Sequence, residues 1–305
     1  MNNLICILGP TATGKTNLAA NLAVLIKGEV ISADSRQVYR GMDIGTGKDI
    51  DDYNVGDVSV PYHLIDIKEP GYEYNVYEFQ NDFIKAYNKI LQNDSIPILC
   101  GGSGMYLDSI LRSYEMKKAN INHELRNELE NKSDSELIKL LANKVPLHNT
   151  SDTSSRERLL RALEISSAEE DNLKKLKFLQ SIKSVNFGLL YERQVLRQRI
   201  TDRLQSRLDN GMLNEIENLL KKGISKEELT FYGLEYRYLT LHVTGDISFT
   251  EMFDQLNTAI HQFAKRQMTW YRRMEKKGVR IHWIDGQLDM NEKISLILNV
   301  VSKIY

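Results

Sequence analysis

The segment Gly9-Pro10-Thr11-Ala12-Thr13-Gly14-Lys15-Thr16 constrains this chain more than any other, because it fills the spacing G-x-x-x-x-G-K-[ST] between two differently patterned runs. Before it, Leu4-Ile5-Cys6-Ile7-Leu8 is an apolar run of strand length. After it, Leu18, Leu22 and Leu25, with Ala19, Ala23 and Ile26, recur at helical spacing as far as Lys27-Gly28. A strand, a glycine turn and a helix in that order aim several backbone N–H groups, and the positive end of the helix dipole, at one anion. Lys15 adds a point charge for the phosphates, and Thr16 a hydroxyl for magnesium. The pattern leaves open whether the phosphate belongs to a nucleotide or to a small pyrophosphate ester.

Strands and helices then alternate, which predicts a parallel sheet with right-handed crossovers. A short strand over Glu29–Ser32 delivers Asp34-Ser35-Arg36-Gln37 to the C-terminal edge of the sheet, the edge at which ligands bind in such folds. Residues 38–61 are rich in Gly and Asp and carry no period, so they form either an ordered loop over the site or a mobile lid. A third strand is expected over His63–Ile67, a helix from Val76 to about Asn93, and a fourth strand over Ile96–Cys100. That last strand runs into Gly101-Gly102-Ser103-Gly104-Met105-Tyr106, a second glycine turn facing the same crevice.

From about residue 113 the pattern becomes helical and polar until the strand at Ser184–Leu190, so residues 113–183 read as a helical insertion into a core made of 1–112 and 184–305. Ser133-x-x-Glu136 and Ser154-x-x-Glu157 mark two helix starts within it, and Ser248-x-x-Glu251 starts a long helix running to about Lys277. On the second of the inserted helices Arg158 and Arg161 stand three apart and share a face, opposite a stripe that includes Leu159 and Leu163. A helix from Glu192 to about Leu208 carries five arginines, and a final strand covers Val279–Ile284.

Charge decides less here than its distribution. With 40 basic and 41 acidic residues the chain is near neutral, so any nucleic-acid binding must come from local clusters. Such clusters occur around Arg158, Arg203 and Arg266, and they interleave with Tyr191, Trp270 and Tyr271, a combination suited to a phosphate backbone and unstacked bases. The two cysteines, Cys6 and Cys100, each lie in an apolar run, which points to a reduced protein without disulfides or a zinc site. No apolar stretch is long enough to span a bilayer and no charged leader precedes the first strand; a cytoplasmic protein is expected.

Four motifs together are specific enough to name a family. Gly9–Thr16, Ala33-Asp34-Ser35-Arg36-Gln37-Val38-Tyr39-Arg40-Gly41-Met42-Asp43-Ile44-Gly45-Thr46, Gly101–Tyr106 and Lys265-Arg266-Gln267-Met268-Thr269-Trp270 closely resemble the bacterial tRNA dimethylallyltransferases, also called tRNA isopentenyltransferases. The resemblance implies an α/β fold with a P-loop NTPase-like parallel sheet flanked by helices and an all-helical inserted subdomain. It implies transfer of a dimethylallyl group from dimethylallyl diphosphate, with Mg2+, to N6 of the adenosine just 3′ of the anticodon. The partners implied are that donor and a tRNA anticodon loop, with no membrane, and the enzyme is expected to act as a monomer.

Carried over by position, the resemblance makes Asp34 the general base and places Ser103 beside the reacting centre, where the family usually has threonine. Arg203 becomes the arginine near the leaving group. Gly9, Pro10, Thr11, Ala12, Thr13, Gly14, Lys15 and Thr16 hold the diphosphate, or a nucleotide such as ATP, with Thr16 on the metal. Contacts to tRNA fall to Asp34, Ser35, Arg36, Gln37, Ser103, Arg126, Arg266 and the segment Glu157, Arg158, Leu159, Leu160 and Arg161. Phe231-Tyr232-Gly233-Leu234-Glu235-Tyr236 departs from the Gly-Tyr pair more usual there. Without the resemblance, the residues also admit a phosphate-loop small-molecule kinase with Asp34 as base on a hydroxyl, or a non-catalytic RNA-binding scaffold.

Overall fold

The computed structural model describes residues 3–119, 121–144, 153–167 and 173–302. Strand β1 (Leu4–Leu8) is buried along its whole length, as an unbroken apolar strand must be when both faces of its sheet are covered. Gly14, in the left-handed conformation, opens α1 (Lys15–Ile26), whose buried face is Leu18, Ala19, Ala20, Leu22 and Ala23. After β2 (Gly28–Ala33) the chain makes a single 3-10 turn at Ile50–Tyr53, a small hairpin of β3 (Asn54–Val55) and β4 (Val58–Ser59), and the edge strand β5 (Tyr62–His63). Helix α2 (Val76–Gln92), β6 (Ile96–Gly101) and α3 (Gly104–Leu111) complete the first half of the core.

The strand expected over His63–Ile67 is cut short. Only Tyr62 and His63 pair with β2. Leu64 and Asp66 have φ of 64° and 55°, incompatible with a continuing strand, and the N–H groups of Asp66 and Ile67 turn to the carbonyls of Gln37 and Val38. The cause is the ammonium of Lys48, which is 1% exposed, donates to the Tyr39 carbonyl (2.7 Å) and pairs with both Asp43 and Asp66. Residues 38–61 are therefore an ordered loop anchored from within by one buried cation, not a lid hanging free of the core.

Helices α4 (His123–Leu129), α5 (Asp134–Lys144), α6 (Arg156–Ser166) and α7 (Leu173–Ser181) lead to β7 (Ser184–Leu190) and α8 (Arg193–Asp209). Then come α9 (Met212–Lys221), α10 (Lys226–Phe231), α11 (Leu234–Val243), α12 (Phe249–Lys276), β8 (Ile281–Asp285) and α13 (Met290–Val301). Of these, α9, α10, α11 and α13 lie outside the sequence expectations. The signature was present for two of them: Ser225 with Glu228 and Asp289 with Glu292 form capping boxes, as Ser248 and Glu251 do for α12.

Six strands form one sheet in the order β5-β2-β6-β1-β7-β8, with every pair parallel. Because β6 lies between β2 and β1, the loops leaving the C-terminal ends of these three strands are neighbours. Residues 9–14, 34–37 and 101–104 are thus brought to one place by topology alone.

The chain divides into two compact units, residues 1–113 with 180–305, and residues 114–179. The smaller has its own core of Leu129, Leu137, Leu141, Leu159 and Leu163. Its α6 begins one residue later than the sequence predicts: the cap is Ser155, whose side chain accepts the Arg158 N–H (3.4 Å), and Glu157 instead pairs with Arg126 (2.9 Å).

Glu164 organises the polar side of this unit. Its side chain is 1% exposed and pairs with Arg126 (2.6 Å) and Arg161 (3.0 Å), and it accepts the Asn122 N–H (3.1 Å). Burial alone would raise its pKa, but these donors hold it down to about 2 from an ordinary 4.5. Its contribution to stability is therefore complete above the ordinary value and is lost as pH falls towards 2.

Arg158 and Arg161 thus differ. Arg158→Glu should leave the unit folded, whereas Arg161→Glu removes one of two cations from a buried carboxylate and sets a like charge beside it, costing roughly 2 kcal/mol or more. Chemical unfolding of the two single variants checks this. Equal stability would mean that Arg161 is as dispensable to the fold as an exposed arginine.

Candidate active site

The phosphate loop has its backbone bent by Gly9 (φ 155°), Ala12 (φ 63°) and Gly14 (φ 77°). Two side chains brace it from inside, the Thr13 hydroxyl (2.8 Å) and the Lys15 ammonium (2.7 Å), both donating to the Pro10 carbonyl. Burial pushes the Lys15 pKa down to about 8, and nearby Arg203 pushes the same way. An arriving anion would relieve both effects.

Helix α12 fastens the loop from the other side. Gln267, 6% exposed, accepts the Thr11 N–H through Oε1 (2.9 Å) and donates from Nε2 to the Gly102 carbonyl (2.9 Å). One turn later the Tyr271 hydroxyl, fully buried, lies within hydrogen-bond distance of the Gly9 (3.0 Å) and Gly102 (3.2 Å) carbonyls. Both glycine turns are thereby tied to the same helix. The second turn needs its glycines for close approach: a Cβ on Gly101 would stand 2.3 Å from the Ala33 carbonyl oxygen, and one on Gly104 would stand 2.5 Å from the Trp270 ring.

Asp34 leaves the end of β2 and accepts the Arg36 N–H at Oδ1 (2.8 Å), which fixes its rotamer and leaves Oδ2 without a partner among the described residues. Ser103, at the start of α3, donates its backbone N–H to Ala33 (3.1 Å) and accepts the Ser35 N–H at Oγ (3.0 Å), so the loops after β2 and β6 move as one. Asp34, Ser103, Lys15, Thr16 and Arg203 all line one cavity of about 320 Å³. Arg207 and Glu235 line it too, and burial raises the Glu235 pKa.

Several residues singled out in the sequence have other work. Gln37 spends both ends of its amide inside the protein, accepting from Ser32 (2.8 Å) and donating to the Gly47 carbonyl (2.9 Å), so it ties down the 38–61 loop while lining the cavity. Leu159 is 1% exposed in the core of the smaller unit and Leu160 packs against that core, so the Leu159 side chain has no surface to offer a tRNA. The charges of Arg126, Glu157 and Arg161 are engaged with one another or with Glu164. Arg158 and Arg266 are exposed, the latter with its guanidinium 5.9 Å from the Phe263 ring centre.

Two of the aromatic residues read as base-stacking partners are engaged within the protein. Tyr271 is buried on the glycine turns, and Tyr191 lies under the Arg199 guanidinium (4.7 Å), while Arg199 Nε donates to the Ala12 carbonyl (2.9 Å). Arg199 and Arg203 of α8 thus reach the phosphate loop and Arg207 reaches Asp49, whereas Arg193 and Arg197 are exposed. Gln267, Arg207 and Glu235 went unassigned in the sequence, and Tyr271 was assigned to base contacts. Only Gln267 had a signal, its place within the Lys265–Trp270 motif.

A phosphate loop facing a carboxylate with a free oxygen, across a cavity lined by lysine and arginine, defines an enzyme of the phosphate-loop α/β class that transfers a group from a phosphate ester. The chain belongs to the IPP transferase family: residues 37–274 match that family's model, and residues 2–57 match the model described as isopentenyl transferase. It is 52% identical over 299 residues to tRNA dimethylallyltransferase 2 of Phocaeicola vulgatus, covering 98% of this chain and 97% of the other. To tRNA dimethylallyltransferase 1 of Geotalea daltonii it is 51% identical over 288 residues, covering 94% and 92%. Among solved structures it is similar to the full-length tRNA isopentenylpyrophosphate transferase of Bacillus halodurans, with TM-score 0.71, 30% identity and coverage of 99% and 96%.

Proposed function

We propose that this protein transfers a dimethylallyl group from dimethylallyl diphosphate to N6 of the adenosine immediately 3′ of a tRNA anticodon, releasing diphosphate. The observation that carries the reading is the unpaired Asp34 Oδ2 in the same cavity as Lys15 and the phosphate loop. An exocyclic adenine amine is a weak nucleophile. As its nitrogen bonds to the allylic carbon, Oδ2 accepts the proton it loses, while the carbon–oxygen bond to diphosphate breaks and its electron pair leaves with the diphosphate. Lys15, Arg203 and the loop N–H groups, lining the same cavity, would stabilise that charge as it develops.

Thr16 lines the cavity with a hydroxyl that has no partner among the described residues. This suits a hard cation held by one hydroxyl and by the phosphate oxygens of the ligand. Magnesium bound there would neutralise the leaving group. The target base must leave its stack to reach Asp34, which a partly unpaired anticodon loop permits at less cost than a duplex. Among the described residues no helix is long and apolar enough to cross a membrane.

The test is incubation of the protein with magnesium, dimethylallyl diphosphate and bulk tRNA, followed by digestion and mass spectrometry for N6-dimethylallyladenosine. The modified nucleoside is expected from the anticodon loop alone. Consumption of ATP without RNA, and no prenylated nucleoside, would replace the reading with that of a kinase.

A further inference from the structure

A second arginine lines the cavity one helical turn beyond Arg203. Arg207 is 15% exposed at its side chain, and its Nη2 donates to both carboxylate oxygens of Asp49 (3.1 and 3.3 Å). The same carboxylate pairs with Arg203 Nη2, while Arg203 Nη1 donates to the Thr11 hydroxyl of the phosphate loop (3.2 Å). Two guanidiniums four residues apart on α8 are thus held side by side by one carboxylate from the 38–61 loop.

Both arginines line the cavity, whereas Asp49 does not, so the carboxylate grips them from outside the space a ligand would fill. Each guanidinium has five N–H donors, and Asp49 and Thr11 use only a part of them. Arg207 Nε and Nη1 have no partner among the described residues. Asp49 offsets one of these two charges, and Glu235, whose pKa burial raises, lines the same cavity beside them.

The backbone is shaped to admit Arg207. Gly47 has φ of 66°, and a Cβ there would stand 2.0 Å from Arg207 Nη2, so any side chain at this position would displace the guanidinium. A residue merely covering a surface would not need such a passage.

We propose that Arg207 is a second diphosphate-binding residue, presented to the cavity by Asp49 and by the gap at Gly47. Resting on the reading that the phosphate loop holds a diphosphate, this gives the anion a lysine and two forked donors. Asp49 acts as a positioning residue that lets two like charges stand together beside the cavity.

The test is calorimetric titration of the full-length protein with inorganic pyrophosphate and magnesium. Arg207→Met should weaken binding by about 10- to 100-fold, the loss of one or two charge-assisted bonds. Arg207→Lys, which keeps the charge without the fork and fits the same passage, should recover part of that loss. Unchanged thermal unfolding without ligand is the folding control, and the lysine variant serves if the methionine variant does not fold. Wild-type affinity in a folded Arg207→Met or Arg207→Lys protein would reduce the residue to a brace for the loop and overturn the proposal. If the wild-type protein itself failed to bind pyrophosphate, the diphosphate reading of the cavity would fall, and this one with it.

Discussion

Asp34→Asn is expected to lower the single-turnover rate by a factor on the order of 10² to 10⁴ while leaving tRNA and donor affinity close to wild type. The amide retains the Oδ1 acceptor that Arg36 N–H uses, so the turn after β2 should keep its shape. What it loses is the ability to take a proton at the other atom. Asp34→Ala removes both properties. If the base is what matters, the two variants should be slow to a similar degree. If the turn is what matters, asparagine should restore the rate. A wild-type single-turnover rate in the asparagine variant would therefore end the assignment of Asp34 as general base, and quench-flow measurement with saturating tRNA and donor decides it.

Local signals carried the phosphate loop, the second glycine turn and most of the sheet, because each needs only a few adjacent residues of the right type. The Gly9–Thr16 spacing requires no knowledge of what packs against it. Long-range pairing was the part that stayed hidden. His63–Ile67 has the composition of a strand, and nothing within five residues reveals that Lys48 will draw Asp66 out of register. Arg199, Arg203 and Arg207 look like a solvated helix face until the loops they meet are known.

Tyr271 shows the same limit from the other direction, since its place among basic residues suggests a surface and its contacts make it a core residue. Arg161 shares a helix face with Arg158 by spacing, yet the buried Glu164 separates their roles. The sequence could place residues on faces. It could not say which faces were already occupied.

Gln267→Leu should have the second large effect, because this residue joins two loops that are more than 150 positions away from it in the chain. Leucine fills a similar volume but leaves the Thr11 N–H without its acceptor. Gly102 loses its amide donor and is left sharing the single Tyr271 hydroxyl proton with the Gly9 carbonyl. An unsatisfied buried N–H costs about 1–3 kcal/mol, which denaturant unfolding should register as a lower midpoint at unchanged slope.

The functional loss should be larger than that figure suggests, on the order of 10² in turnover, because a displacement of about 1 Å between phosphate loop and general base misaligns the reacting atoms. Gln267→Glu separates the two contributions. It retains an acceptor for Thr11 but cannot donate to Gly102, and it adds a negative charge beside the phosphate loop, so pyrophosphate affinity should fall further than with leucine. If leucine lowers stability and leaves turnover untouched, the glutamine is a fold contact only. If glutamate binds pyrophosphate as tightly as leucine does, the anion does not sit where Thr11 and Lys15 place it.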